Sequence, residues 1–512
     1  MKKYFNTAGP CHPGKHYMLP AQERCRGLLS LIEREQYFVI HAARQSGKTT
    51  LLLDLVRQLN ASGDYYAMYC SLESVYGIAG AEKGIPAVVR NLREQIVFHE
   101  TLSRYPFAQD MNYDDFNIIL RSSLSRFCKS LDRPLVILFD EVDCLSDSTL
   151  ISFLRQLREG YVNRGTVSFV HSAALVGMRN IRDYKARIRD DRETLGSASP
   201  FNIAKISRTI RNFTPEEVGR LYAQHTEQTG QAFSPEVTGI VHDYTRGQPW
   251  LVNAIADEIV EQILKQDFSQ TITADHAEQA VETIIRRRDT HIDSLLERLK
   301  EKRVQQFVEP VITGEIRKHD PLDDDYQYVL DLGLLREAEK RLVPSNPIYS
   351  EVIVRYLSVM AQREMDMRGY PPTAPAYLKD GRLDMRKLLG DFQQFWRENS
   401  EIWRERYQYK EAAPHLVLQA FLQRVINAGG QISRELAEGT GRLDLCVHYD
   451  GESYPIELKL RYGEKTYETG KTQLAGYTEK MGCSEGWLVV FDRRKKTSWD
   501  EKIFWRTEAA EG

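Results

Sequence analysis

Three groups of residues carry types and spacings that can do chemistry. The first is Gly47-Lys48-Thr49, at the end of Val39-Ile-His-Ala-Ala-Arg-Gln-Ser-Gly-Lys-Thr-Thr-Leu51. Apolar Tyr37–Ile40 before it reads as a strand, and Thr50–Leu59 after it reads as a helix. A loop running from a strand into a helix N-terminus offers backbone N–H groups and the positive end of a helix dipole to phosphate. In such a loop Gly47 permits close backbone approach, Lys48 neutralises phosphate oxygens, and the Thr49 hydroxyl ligates Mg²⁺. The second group is Leu135-Val-Ile-Leu-Phe-Asp-Glu-Val-Asp143, an apolar strand ending in acids. It delivers Asp140 to a Mg²⁺ shell and places Glu141 to polarise water, while Asp143 is read as a cap for the next helix. The third is Asp444 followed, on the next expected strand, by Glu457 and Lys459. Strand alternation puts Glu457 and Lys459 on one face. Two carboxylates and the Leu458 carbonyl make a hard-oxygen site for Mg²⁺ or Mn²⁺, with Lys459 orienting or activating the attacking water.

The elements around these groups fall into a definite order. From 37 to about 210, short apolar strands (Tyr37–Ala42, Tyr65–Ser71, Leu135–Phe139, Thr166–Leu175) alternate with helices, which predicts a parallel sheet covered on both faces. Helices follow from 214, opening on the capping box Thr214-Pro-Glu-Glu217. The stretch 361–382, with Gly369, Pro371, Pro372 and Pro375, reads as a linker. The expected organisation is an ATPase core with an N-terminal arm over 1–213, a helical lid over 214–285, a winged-helix-like domain over 286–360, the linker, and a last domain over 383–512. With 512 residues, several cores are expected. The net charge of -3 makes no global claim on nucleic acid, so any such binding must come from local patches. Seven cysteines, an odd number without metal-ligand spacing, point to reduced thiols and a cytoplasmic protein. No apolar stretch approaches the roughly 18 residues of a membrane span.

The segment 39–51 resembles a Walker A motif, with Ala42 in place of the first glycine, and Leu135–Asp143 resembles Walker B. The resemblance implies ATP and Mg²⁺, held by Arg44, Gln45, Ser46, Gly47, Lys48, Thr49, Thr50 and Asp140, with Thr49 and Asp140 at the metal and Glu141 catalytic. Ala174-Leu-Val-Gly-Met-Arg179 sits where a sensor strand of such ATPases ends, so Arg179 either reads the γ-phosphate or is a surface arginine. Thr245-Arg-Gly-Gln-Pro-Trp250 resembles the G-x-P motif of a helical lid, which brings Pro249 to the nucleotide. Over about 10–355 the chain is similar to AAA-like ATPases close to the STAND class, in which ATP acts as a switch and a winged helix follows the lid. In relatives the lead-in covers the adenine, a role His16, Tyr17 and Arg24 would take here; the alternative is an arm packed on the core. No arginine finger is readable, so hydrolysis is expected to be slow or dependent on homo-oligomer assembly.

The last domain resembles a PD-(D/E)XK nuclease of the RecB-like group. Gly441-Arg-Leu-Asp444 matches its G-R-x-D pattern, Glu457-Leu-Lys459 its E-x-K, and Gln473-Leu-Ala-Gly-Tyr477 its Q-x-x-x-Y helix. The resemblance implies an α/β protein in two parts: a P-loop NTPase parallel sheet with lid and winged helix, then an αβββαβ nuclease domain. It assigns catalysis to Asp444, Glu457, Lys459, Gln473 and Tyr477, and a metal to Asp444, Glu457 and the Leu458 carbonyl. Glu435 and Glu411 are further acids within reach of such a site, or edge charges. Arg493-Arg-Lys-Lys496 is a phosphate-holding run or a solvated turn. Phe392, Phe395, Trp396, Trp403 and Tyr407 recur at helical spacing and are read as packing. The whole reads as an ATP-gated nuclease with DNA as favoured partner, in a bacterial or archaeal antiviral defence or mobile-element setting. A nucleotide-switched scaffold whose nuclease-like domain only binds is the alternative.

Overall fold

The computed structural model describes residues 2–107, 115–178, 206–287, 290–312, 320, 323–339, 341–354, 356–357, 377–379, 382–406, 412–426, 430–433, 445–461, 465–492 and 498–509. Two compact units emerge: residues 1–293 with 319–337, and residues 294–318 with 338–512.

The first unit is built on five strands: β1 (Phe38–His41), β2 (Tyr66–Ser71), β3 (Leu135–Asp140), β4 (Ser172–Gly177) and β5 (Ile206–Thr209). Their order across the sheet is β2-β3-β4-β1-β5, and every pairing is parallel. Period-two alternation sends successive side chains to opposite faces. Phe38, Ile40, Val136, Leu138, Ala174 and Val176 meet the helices Leu28–Glu33 and Lys48–Ser62 on one side. Val39, Ile137, Phe139, Ala173 and Leu175 meet Ala81–Val97, Ile119–Ser130 and Asp147–Asn163 on the other. Strands buried on both faces need continuous apolar runs, and β3 and β4 are buried along their whole length. Each fully buried Leu, Ile or Phe contributes about 2 kcal/mol.

β4 starts later than the apolar run 166–175 suggests. Thr166 turns back to Asn163, Val167 is exposed, and Phe169 and Val170 enter the core before the ladder begins. Helix Pro215–Thr229 opens on the capping box, Thr214 accepting from Glu217 N and Glu217 accepting from Thr214 N, and closes on Gly230. Helices Val237–Thr245, Pro249–Asp257 and Ala274–Arg287 follow, the second continuing into a π-helical turn, Glu258–Ile263. Helix Asp324–Leu332, capped by Gly333 at φ 74°, also belongs to this unit. Short strands β6 (Leu335–Ala338) and β7 (Arg341–Pro344) follow in sequence.

The second unit holds a ribbon, β8 (Leu378–Lys379) with β9 (Arg382–Leu383), and a sheet of β10 (Gly430–Ser433), β11 (Leu445–Tyr449), β12 (Glu452–Arg461) and β13 (Trp487–Asp492) in that order. β10, β11 and β12 pair antiparallel; β13 joins β12 in parallel, which requires the crossover helix Lys465–Lys480. Asp450-Gly451, both at positive φ, make the tight β11–β12 hairpin. Helix Ala412–Ile426 precedes β10, so the element order is αβββαβ. Helix Met385–Arg406 packs Phe392 on Phe421 and Phe491, and Trp396 on Phe491. Among the described residues no helix is long and apolar enough to cross a membrane.

Candidate functional site

Parallel strands bring all their carboxyl ends to one edge, and that edge holds the loops after β1, β3 and β4. β4 lies between β1 and β3 and sets their separation. Across that gap Thr49 Oγ1 donates to Asp140 Oδ2 at 2.8 Å. Tyr69 donates to the same oxygen at 3.2 Å, and Asp140 Oδ1 accepts from Glu141 N at 3.0 Å. The two motifs therefore form one site.

The loop 42–47 is bent by Gln45 at φ 56° and Gly47 at φ 91°, both left-handed. Lys48 is buried, and its Nζ donates to the carbonyls of Ala42 at 2.8 Å and Ala43 at 3.0 Å. Burial holds its pKa below the usual lysine value, against the upward pull of Glu141, Asp140 and Asp143. Glu141 sits in a left-handed turn at φ 55°. Burial raises its pKa, helped by Asp143 and Asp140 and opposed by Lys48. Asp143 does not merely start a helix: its Oδ2 accepts from Met178 N at 3.1 Å and ties the acidic turn to the end of β4. A Cβ on Gly177 would meet Asp143 Oδ1 at 2.4 Å, so this junction has no room for a side chain.

Several contacts to the loop come from distant parts of the chain. Arg24 is buried, and its Nη1 donates to Ser46 O and Arg211 O, both at 3.0 Å, with the guanidinium 4.7 Å from the Phe213 ring. Burial pulls its pKa down to about 10. His16 and Tyr17 go to the arm and the lid instead: His16 to Tyr4 at 2.9 Å, Tyr17 to Gln228 at 2.7 Å. Cys11 N donates to Thr50 Oγ1 at 3.0 Å, and Trp250 Nε1 to Thr7 O at 2.8 Å, so the N-terminal segment joins the phosphate-loop helix to the helix Pro249–Asp257. Pro249 opens its helix at the first position, and the neighbouring Gln248 reaches the loop, Nε2 donating to Gln45 O at 3.4 Å. Gly247 at φ 70° lies so close to Phe213 that a Cβ would meet its carbonyl oxygen at 1.9 Å. Gly333 abuts Ala43. His291 is buried 4.8 Å from the Trp250 ring, and burial, then Arg44, drives its pKa down to about 3. Arg44 and Gln45 are exposed at the loop's outer side. Arg179 lies outside the described residues.

These residues fit a nucleotide with its cation. The buried Lys48 ammonium holds only neutral loop carbonyls, Thr49 and Asp140 already share a hydrogen bond where a cation would be held, and Gly47 supplies the left-handed step that opens a helix N-terminus towards the loop.

In the second unit Glu457 is fully buried on β12, and Lys459 Nζ donates to its Oε1 at 2.6 Å. Gly470 of helix Lys465–Lys480 presses on Lys459, whose Cγ lies 3.0 Å from the position of a Cβ. Leu474 and Tyr477 pack on Cys446 from the same helix. Gln473 Oε1 is buried and accepts no hydrogen bond among the described residues. Leu458 is buried on the opposite face. Asp444, Glu435, Glu411 and Arg493–Lys496 lie outside the described residues. Leu445, next to Asp444 in sequence, pairs with Ile456, next to Glu457. Among the described residues no group of three or more His, Cys, Asp or Glu is gathered as a metal site.

The chain has weak likenesses among solved structures. The Walker-type ATPase paby2304 of Pyrococcus abyssi is 12% identical with a TM-score of 0.48, over 68% of this chain and 99% of that one. The ORC2 protein of Aeropyrum pernix is 12% identical with a TM-score of 0.38, over 67% and 93%. The RuvB Holliday junction branch migration motor of Thermotoga maritima is 11% identical with a TM-score of 0.34, over 64% and 91%. No curated protein matches the sequence. The family model of a domain of unknown function (DUF8371) matches residues 387–495. The model of the AAA-like domain matches residues 23–355, most of the chain, and the protein belongs to that family of P-loop ATPases.

Proposed function

We propose that the protein is an ATP-gated, metal-dependent nuclease, favouring DNA, in a bacterial or archaeal defence or mobile-element setting, and that it works as a homo-oligomer. The observation that carries the nuclease half is the buried Glu457 carboxylate bonded to Lys459 on one face of β12, beneath the helix bearing Gln473 and Tyr477. A buried charge of this kind is costly unless paired, and ionisable pairs in such settings concentrate at functional sites. Asp444, Glu457 and the Leu458 carbonyl would hold the cation, which when bound activates water and neutralises phosphate charge. Lys459 orients the water, and Gln473 and Tyr477 position the strand to be cut.

In the ATPase half, Arg44, Gln45, Ser46, Gly47, Thr50 and Pro249 shape the nucleotide site and Arg179 reads the terminal phosphate. Lys48 exchanges its loop carbonyls for phosphate oxygens. Thr49 and Asp140 would hold Mg²⁺, which when bound would neutralise phosphate charge. Glu141, held up in pKa by burial, takes a proton from the attacking water more readily than an exposed carboxylate does.

The alternative reading is a nucleotide-switched scaffold with a binding-only C-terminal domain. Cleavage of single- and double-stranded DNA and of RNA with Mg²⁺ or Mn²⁺, with and without ATP, separates the two. The nuclease reading expects cutting that disappears in Glu457→Ala and loses its response to ATP in Lys48→Ala. Absence of metal-dependent cutting under every nucleotide condition favours the scaffold.

A further inference from the structure

The segment 498–509 follows the last sheet strand and, after the helical turn Trp499–Lys502, runs without regular structure. It crosses between two helices of the second unit. Trp505 Nε1 donates to Gln393 Oε1 at 3.0 Å, and the Arg386 guanidinium lies 5.4 Å from the Trp505 ring. One residue on, Arg506 lies 5.7 Å from the Tyr467 ring and 6.0 Å from that of Phe504. Glu508 then accepts from Lys471 Nζ at 2.6 Å. The tail is thus anchored at both sides, yet Phe504 stays 55% and Trp505 40% exposed. Single exposed aromatics are ordinary. Two of them in an anchored segment make a different surface: Arg386 lies over the Trp505 ring and Arg506 over that of Phe504, with Arg506 also paired to Glu508 at 3.4 Å, so partly exposed rings alternate with cations. The Trp487 ring centroid lies 6.2 Å from that of Trp505, the two rings edge to face.

We propose that Phe504, Trp505, Arg386 and Arg506 form a stacking platform for single-stranded nucleic acid. Bases stack on the two open rings, and the guanidinium groups beside them take the flanking phosphates. A duplex hides its base faces and cannot use this surface. Lys465–Lys480 carries Tyr467 and Lys471 at the platform and Gln473 and Tyr477 over β12, so a strand held by the tail is led along one helix towards Glu457. The inference rests on the nucleic-acid reading of this unit but not on its cleavage.

The test is fluorescence anisotropy of labelled oligothymidine, oligouridine and a DNA duplex with the full chain in EDTA. Both single strands bind more tightly than the duplex. Phe504→Ala with Trp505→Ala weakens binding about tenfold or more, while Trp505→Phe, which keeps a ring and the packing, weakens it far less. Arg386→Gln with Arg506→Gln lowers the slope of log affinity against log salt by about 1.4. Alanine variants that melt normally and bind single strands unchanged overturn the platform, as does a preference for duplex. Tail-dependent binding without any metal-dependent cutting overturns only the nuclease reading.

Discussion

Thr49 Oγ1 bonds to Asp140 Oδ2 at 2.8 Å although their strands are separated by β4. The hydroxyl from the first turn of the phosphate-loop helix and the last residue of β3 meet because parallel pairing levels the strand ends, His41 beside Gly177 and Phe139 beside Leu175. Burial opposes the Lys48 charge while Glu141, Asp140 and Asp143 support it, and this balance fixes how substitutions should behave.

Lys48→Ala removes the buried ammonium and its two carbonyl contacts together. The nucleotide-free melting temperature should change little, because desolvation already opposes the charge. With ATP at about a hundred times its dissociation constant the wild type gains about 2.7 kcal/mol. The variant should gain almost none of it, as read by thermal melts across an ATP titration.

Glu141→Gln should lower hydrolysis by about 10²-fold or more while ATP still binds. Its effect on stability has a definite sign. A carboxyl whose folded pKa is raised binds more protons folded than unfolded, so it costs stability as pH rises through the window between its unfolded and folded values. The glutamine variant should therefore be more stable than the wild type at pH 7, and the difference should vanish towards pH 4. Urea midpoints at the two pH values decide it.

His291 works in the opposite sense along the pH axis. Its pKa is held down to about 3, so the unfolded chain binds the extra proton and stability is lost as pH falls below about 6.5. His291→Gln should flatten the acid limb of the stability profile between pH 6 and 4. An unchanged limb would show that another group governs it.

Gly247→Ala would place a methyl 1.9 Å from Phe213 O at φ 70°. The chain must move, at a cost of about 3 kcal/mol. Gln248 should lose its reach to Gln45, so the loss of stability should be accompanied by weaker ATP binding; a variant as stable as the wild type would contradict the close packing.

The strands and helices around the phosphate loop were legible because buried parallel strands demand apolar runs and helices announce their starts, as Thr214 and Glu217 do. Misreadings arose where apolar residues serve packing without a ladder. Phe169 and Val170 lengthen the apparent β4. Arg24 was legible as a charge near the site, but not as a donor to the Ser46 carbonyl, because nothing local in the sequence says which backbone group a distant arginine will meet. Gln248 lies inside the Gly247-Gln-Pro249 motif, yet its reach to the loop, like that of Gly333, is long-range packing that no local pattern announces. On β12, alternation alone placed Glu457 and Lys459 together; how deeply Glu457 is buried depended on Gly470 letting the helix approach.

The interleaving of the two units along the chain bears on synthesis. Residues 319–337, which carry Gly333 against Ala43 and Asp331 within 3.9 Å of His41, belong with residues 1–293, whereas 294–318 belong with the C-terminal unit. During translation, at about 5–20 residues per second, the phosphate loop waits for its last neighbours until a stretch owed to the other unit has already left the ribosome. Neither half is a contiguous fragment, so a protein cut at the end of the lid helices would emerge with Ala43 uncovered.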